Sequence, residues 1–135
     1  MSLQVYVLTP KNIVFNGNVE EVKLPSNSGR MGVLPNHIST ITALEVGVMS
    51  IRESNLWKHF AVMGGFALVK RNKVTGLVNE AESADSIDSQ EAEEIFIKAS
   101  KQLEEAIGLK QRAEANFTYK RAKARYLAVN PDFMF

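Results

Sequence analysis

The first 86 positions carry apolar and polar residues in short alternating runs, and the remainder repeats its apolar residues every three or four positions. Leu3, Val5 and Val7 alternate with Gln4 and Tyr6, and Val22 and Leu24 with Glu21 and Lys23. That period of two belongs to a half-buried strand. Further short runs lie at 47–52, 60–63, 66–69 and 74–78, bounded by Gly, Pro, Asn or Ser. So many short strands in one stretch predict an all-β sandwich or barrel over residues 1–86. Pro10, Gly17, Pro25, Gly29 and the pair Arg71-Asn72 read as turns. Gly64-Gly65, between two runs, reads as a tight turn or a close backbone approach. Gly76, inside a run, reads as a weak point, a bulge or another close approach.

The pattern changes after Ser86. Asp88 stands three positions before Glu91, the spacing of a helix-start capping box. Ala92, Ile95, Phe96, Ala99, Leu103, Ala106 and Ile107 then follow a helical period. Gly108 interrupts it. A second helix is predicted from about Leu109 to Val129, with Pro131 unable to extend it. Two helices with so short a break form an antiparallel hairpin over residues 87–135. The expected class is therefore α+β: an N-terminal sandwich or barrel followed by a two-helix hairpin and a short tail.

Charge separates the two helices. Residues 88–105 hold Asp88, Glu91, Glu93, Glu94, Glu104 and Glu105 against Lys98 and Lys101; residues 118–129 hold Lys120, Arg121, Lys123 and Arg125 and no acid. Antiparallel packing places the acidic start of one beside the basic end of the other, in the sense favoured by the helix dipoles. On the second helix, at ~100° per residue, Ala115, Tyr119, Ala122, Tyr126 and Val129 form one stripe. Ala113, Phe117 and Ala124 form another on nearly the opposite side. Either this helix is sandwiched between its partner and the β domain, or it offers one stripe, rimmed by cations, to a second protein.

Composition narrows the chemistry. The 135 residues carry a formal net charge of +1 and no cysteine. Disulfides and thiolate metal sites are thereby excluded, and no overall bias toward nucleic acid exists. No apolar stretch approaches the ~20 residues of a membrane-spanning helix. The start, Met1-Ser2-Leu3-Gln4, resembles neither a secretory signal nor a transit sequence, so the expectation is a chain that meets membranes through partners alone. His37 and His59 lack the spacing of a zinc site. No phosphate-cradling loop and no nucleophile–base–orienter set is evident, so no catalytic residue, cofactor or metal is assigned. The basic segment 119–126 interleaves aromatics with cations, which fits a nucleic-acid surface or an acidic protein surface. Its small footprint favours the protein.

Several motifs in order resemble those of ATP synthase epsilon subunits. Gly29-Arg30-Met31-Gly32-Val33-Leu34-Pro35-Asn36-His37 is similar to one signature of that family, and Met63-Gly64-Gly65-Phe66-Ala67-Leu68-Val69 with Asn72-Lys73-Val74-Thr75 to a second. Leu8-Thr9-Pro10 and 79–82 fit the flanks, and 115–126 resembles the C-terminal helix of the chloroplast and cyanobacterial branch. The resemblance implies a non-catalytic subunit of the central rotor stalk, bound to the gamma subunit and the c-ring. It implies that Arg30, Met31, Gly32 and His37 face the c-ring. It also implies that Lys120, Arg121, Lys123 and Arg125 meet an acidic segment of the beta subunit when the hairpin restrains ATP hydrolysis. A purely structural stalk adaptor is the alternative. The implied site is the stromal face of the chloroplast thylakoid, or the cytoplasmic face in a cyanobacterium. In the ATP-binding motif of some bacterial members, an arginine falls where this chain has Glu91, so a cation that would meet phosphate is replaced by an anion. The tail 130–135 matches no motif of the family.

Overall fold

The computed structural model describes residues 2–134. Eight strands precede two helices: β1 (Leu3–Leu8), β2 (Ile13–Val19), β3 (Glu21–Ser26), β4 (Gly29–Val33), β5 (Thr40–Glu53), β6 (Leu56–Lys70), β7 (Lys73–Val78), β8 (Ala81–Ser83), α1 (Ser89–Glu105) and α2 (Leu109–Val129). The strands run in the order β2-β1-β7-β6-β5-β3-β4, with β8 added to β6. β5 and β6 are long enough to serve two layers. The early part of β5 and the late part of β6 lie beside β7 and β1, and their other halves lie beside β3 and β8. The sheet thus folds across itself into a sandwich. Leu3, Val5, Val7, Val22 and Leu24, the alternating apolar positions, are fully buried between the layers with Val62, Val69 and Val74.

Two hairpins turn on paired left-handed residues, Ser54-Asn55 (φ 53° and 64°) between β5 and β6, and Arg71-Asn72 (φ 52° and 61°) between β6 and β7. This backbone twist matches that of the flanking strands. At the first, the Glu20 carboxylate accepts from the backbone N–H groups of Ser54 and Asn55 at 2.9 and 2.8 Å. Those two bonds, with Arg52 nearby, hold the Glu20 carboxyl below its ordinary value.

Three sequence expectations need correction. Gly17 and Pro25 lie within strands, not turns. Pro25 is tolerated because the β3–β5 register shifts between Lys23 and Ser26, where its missing N–H costs no ladder bond. Gly64-Gly65 also sits inside a strand, β6, rather than between two. The close approach is real: a Cβ on Gly65 (φ 144°) would collide with the Leu77 carbonyl and lie 2.8 Å from the Val78 Cα. Gly76 marks no bulge. It pairs in regular register with Val7 and Ala67, and a Cβ there would meet the Val7 methyls at an ordinary 3.7 Å.

The hairpin follows the sequence closely. Asp88 caps α1 by accepting from the Glu91 N–H at 3.0 Å. Ala106 and Ile107 fall just past the end of α1, and Gly108 (φ 83°) immediately precedes α2. Phe96 of α1 stacks on Tyr126 at 4.8 Å and tilts against Tyr119 at 5.7 Å, so the Tyr119/Tyr126 stripe faces the partner helix. Ala124 and Ala128 pack on Val48, Ala61 and Met63 of the sandwich. The opposite stripe is divided: Ala124 is buried, whereas Ala113 and Phe117 project beyond the sandwich and are exposed.

Candidate partner-binding surfaces

Three surfaces stand out. The first is the outer face of the layer formed by β2, β1, β7, β6 and β5. Strand register aligns Ile13 with Leu8, Leu8 with Leu77, Leu77 with Phe66, and Phe66 with Ala43. A neighbouring row joins Thr75 to Leu68 and Leu68 to Ile41. Phe66 is 61% exposed and Ile41 75%. Ile38 and Leu34, in the β4–β5 loop, are also exposed. A contiguous apolar face of this kind marks a contact site for another protein.

The second surface surrounds the residues expected at the c-ring. Arg30, Met31 and Gly32 lie on β4, with Met31 partly buried against the core. Arg30 turns along the sheet: it donates to the Ser50 hydroxyl at 2.8 Å and touches the Met134 sulfur at 2.7 Å. Burial lowers its pKa. His37 lies in the following loop, its Nδ1 bonded to the Ile38 carbonyl at 2.7 Å. The four residues therefore do not form one cluster: Arg30 bonds to the β5 strand, and His37 to its own loop.

The third surface is the basic end of α2, and its four cations have separate fates. Arg125 grips Glu82 in a fork, Nε to one carboxylate oxygen at 3.0 Å and Nη2 to the other at 3.1 Å. The hydrogen bond and charge of Glu82 raise the Arg125 pKa, with a smaller pull from Glu91. Arg121 pairs with Glu80 at 3.1 Å. The acids that meet these arginines lie between β7 and α1, whereas the sequence pointed to the acidic first helix. Lys120 and Lys123 are exposed, and Lys123 reaches over the Tyr119 ring at 6.0 Å. In the sequence Glu80 and Glu82 stood out only as part of the motif flank 79–82. The apolar face had a signal that alternation hides: Phe66-Ala67-Leu68-Val69 is apolar without interruption, the mark of a strand covered on both sides.

A sandwich with an uncovered apolar face and a docked helical hairpin defines a two-part protein built for contact with other chains. The β-sandwich domain of the ATP synthase delta/epsilon chain matches residues 2–84. The chloroplastic ATP synthase epsilon chain of Tupiella akineta is 55% identical over 130 residues, covering 96% of this chain and 100% of that one. Its counterpart in Oltmannsiellopsis viridis is 57% identical over 129 residues, covering 96% and 98%. The chain therefore belongs to the ATP synthase delta/epsilon family, among its epsilon chains. The same fold occurs in a chain of the Euglena gracilis mitochondrial ATP synthase seen by cryo-electron microscopy, with TM-score 0.80, 18% identity and coverage of 91% of this chain and 78% of that one.

Proposed function

We propose that this epsilon chain is a non-catalytic part of the central rotor stalk of a chloroplast ATP synthase, on the stromal face of the thylakoid, and that its hairpin is a detachable brake on ATP hydrolysis. The gamma subunit covers the apolar face centred on Phe66, Leu68 and Leu77. The β4–β5 end, with Arg30, Met31, Gly32 and His37, faces the c-ring. When the hairpin leaves the sandwich, Lys120, Arg121, Lys123 and Arg125 meet an acidic surface of the beta subunit.

One observation carries the brake. The fully buried side chains by which the hairpin rests on the sandwich are small, Ala92, Ala124 and Ala128, with Leu127 and Val129 only partly buried beside them, and two ion pairs complete the contact. Alanines bury little area each, and partly exposed ion pairs contribute little. Such an interface separates at modest cost, and each arginine released from Glu80 or Glu82 is free for another carboxylate. The mechanism is a population shift: an acidic partner that binds only the detached hairpin draws the equilibrium toward it.

The test adds the full chain to a catalytic core lacking its epsilon subunit and follows ATP hydrolysis. The wild type inhibits, and a chain ending at residue 86 binds without inhibiting. Equal inhibition by both would overturn the brake. Inhibition by neither, with binding intact, would leave the purely structural stalk adaptor.

A further inference from the structure

Beside the docked helices, the outer face of the second layer carries a cleft of about 640 Å³, which shares Arg30 and Gly32 with the end of the sandwich assigned above to the c-ring. Its floor is a row of side chains set by register: Gly32 pairs with Lys23, Lys23 with Ser50, and Ser50 with His59. Arg30 closes one side and Trp57 another, while Pro131, Asp132 and Met134 border it from the tail. The polar groups converge. Arg30 donates to the Ser50 hydroxyl at 2.8 Å, and that hydroxyl is 2.7 Å from the His59 Nδ1. His59 stacks on Trp57, and the Lys23 ammonium lies 5.0 Å above the same indole.

The cations of this cleft differ from their neighbours on the sandwich, where Arg52 has Glu20 and Glu21, and Lys58 has Glu53. Among the described residues, neither Lys23 nor Arg30 has a carboxylate within ion-pair distance. Asp132 lies on the border, and no ion pair joins it to either cation. Two cations and an imidazole thus share one concave site, partly withdrawn from water, with Asp132 at its border and no ion pair to either cation among the described residues. Withdrawing a cation from water is costly unless an anion accompanies it, and a concave site focuses the field of its charges. An arginine fork beside an ammonium is suited to phosphoryl oxygens.

We propose that this cleft binds a free phosphoryl anion of the size of pyrophosphate, held between Lys23 and Arg30 with His59 as the third donor. Both Nδ1 and Nε2 of His59 donate once the ring is protonated. In the empty cleft, burial and then the charges of Arg30 and Lys23 hold the His59 pKa below its ordinary value. Arg30 and Lys23 are the charges that bear on that titration; Asp132 borders the cleft, and Arg52, paired with Glu21, lies over the far side of Trp57. A bound dianion reverses the sign of the local field and raises it.

Pyrophosphate titrated into the full chain, followed by NMR of the His59 ring and by fluorescence of the single tryptophan, tests this. Saturable changes are expected, with the His59 titration moving to higher pH. Lys23→Gln and Arg30→Gln each weaken binding roughly tenfold, the loss of one charge-assisted contact. A Lys98→Gln/Lys101→Gln variant, which removes exposed cations on α1, binds as the wild type does. Sodium chloride at matched ionic strength gives no saturation. Thermal melting verifies that each variant is folded, and His59→Asn serves if Arg30→Gln is not. Failure to saturate, unchanged affinity in the Lys23 variant, or loss in the Lys98/Lys101 variant would overturn the proposal. The readout needs no partner subunit, so its failure leaves the stalk role untouched.

Discussion

Removing Glu82 should release the hairpin. The Arg125–Glu82 fork joins α2 to β8 through two charge-assisted hydrogen bonds, with the two side chains 18% and 34% exposed. A shielded bond of this type contributes ~1.5–3 kcal/mol, and an exposed ion pair ~0–1 kcal/mol. Partial exposure puts the fork between these limits, at about 1.4 kcal/mol, which is a tenfold change in equilibrium constant. Glu82→Ala should therefore raise the ratio of detached to docked hairpins about tenfold. The absence of native cysteine lets dyes be placed at Lys70→Cys on the sandwich and Lys110→Cys on α2, both exposed, and read by single-molecule energy transfer. Arg125→Ala should open the hairpin to the same degree, and the double variant no further, since the two residues act through one contact. The two single variants then diverge in the assembled enzyme. Glu82→Ala leaves Arg125 free for the beta subunit and strengthens inhibition, while Arg125→Ala weakens it. An unchanged detached fraction in Glu82→Ala, or additive effects in the double variant, would refute the reasoning.

Three further outcomes follow from the sandwich. Gly65→Ala should destabilise the protein by ~3 kcal/mol or more, because a left-handed backbone and a backbone collision combine, whereas Gly76→Ala, with an ordinary contact to Val7, should be neutral or stabilising by ~0.5 kcal/mol; urea unfolding of the pair measures both. Phe66→Ser should leave the melting temperature nearly unchanged, since the ring is exposed, yet weaken binding to gamma at least ~10-fold as the loss of an aromatic anchor, read by titration calorimetry. The depressed Glu20 pKa stabilises the fold above its ordinary value of 4.5; that contribution fades as pH falls from there through the lower folded value. The protection of the Ser54 and Asn55 amides against hydrogen exchange, taken relative to the intrinsic rate at each pH, should fall over that window in the wild type and stay constant in Glu20→Gln.

Much of this architecture was legible because burial follows period. Leu3, Val5, Val7, Val22 and Leu24 announced the inner face by alternation, and Asp88, Gly108 and Pro131 marked the helix limits through capping and backbone chemistry. Pro25 misled because a proline reads as a turn unless a bulge frees its neighbours, and a bulge is a relation between two strands. Gly65 was singled out, but the carbonyl that excludes a side chain there, that of Leu77, belongs to another strand. The candidate surfaces were less legible for the same reason. Arg121 and Arg125 declared themselves as cations, yet their partners Glu80 and Glu82 are fixed by how α2 crosses the sandwich. Lys23, Arg30 and His59 stand far apart in sequence and share a cleft only through strand register.

The pairing of β1 bears on how the chain is made. Its antiparallel neighbour β2 follows at once, but its parallel neighbour is β7, and Val5 must wait for Val74 before that edge closes. Distant pairings of this kind slow folding, since a long loop must close before they are rewarded. On the ribosome the strands before β7 emerge with one edge of β1 open to unintended pairing. α1 and α2 leave later still, after all the strands on which α2 rests. The order of synthesis is thus the order of contact: the hairpin has nowhere to rest until the strands beneath it exist.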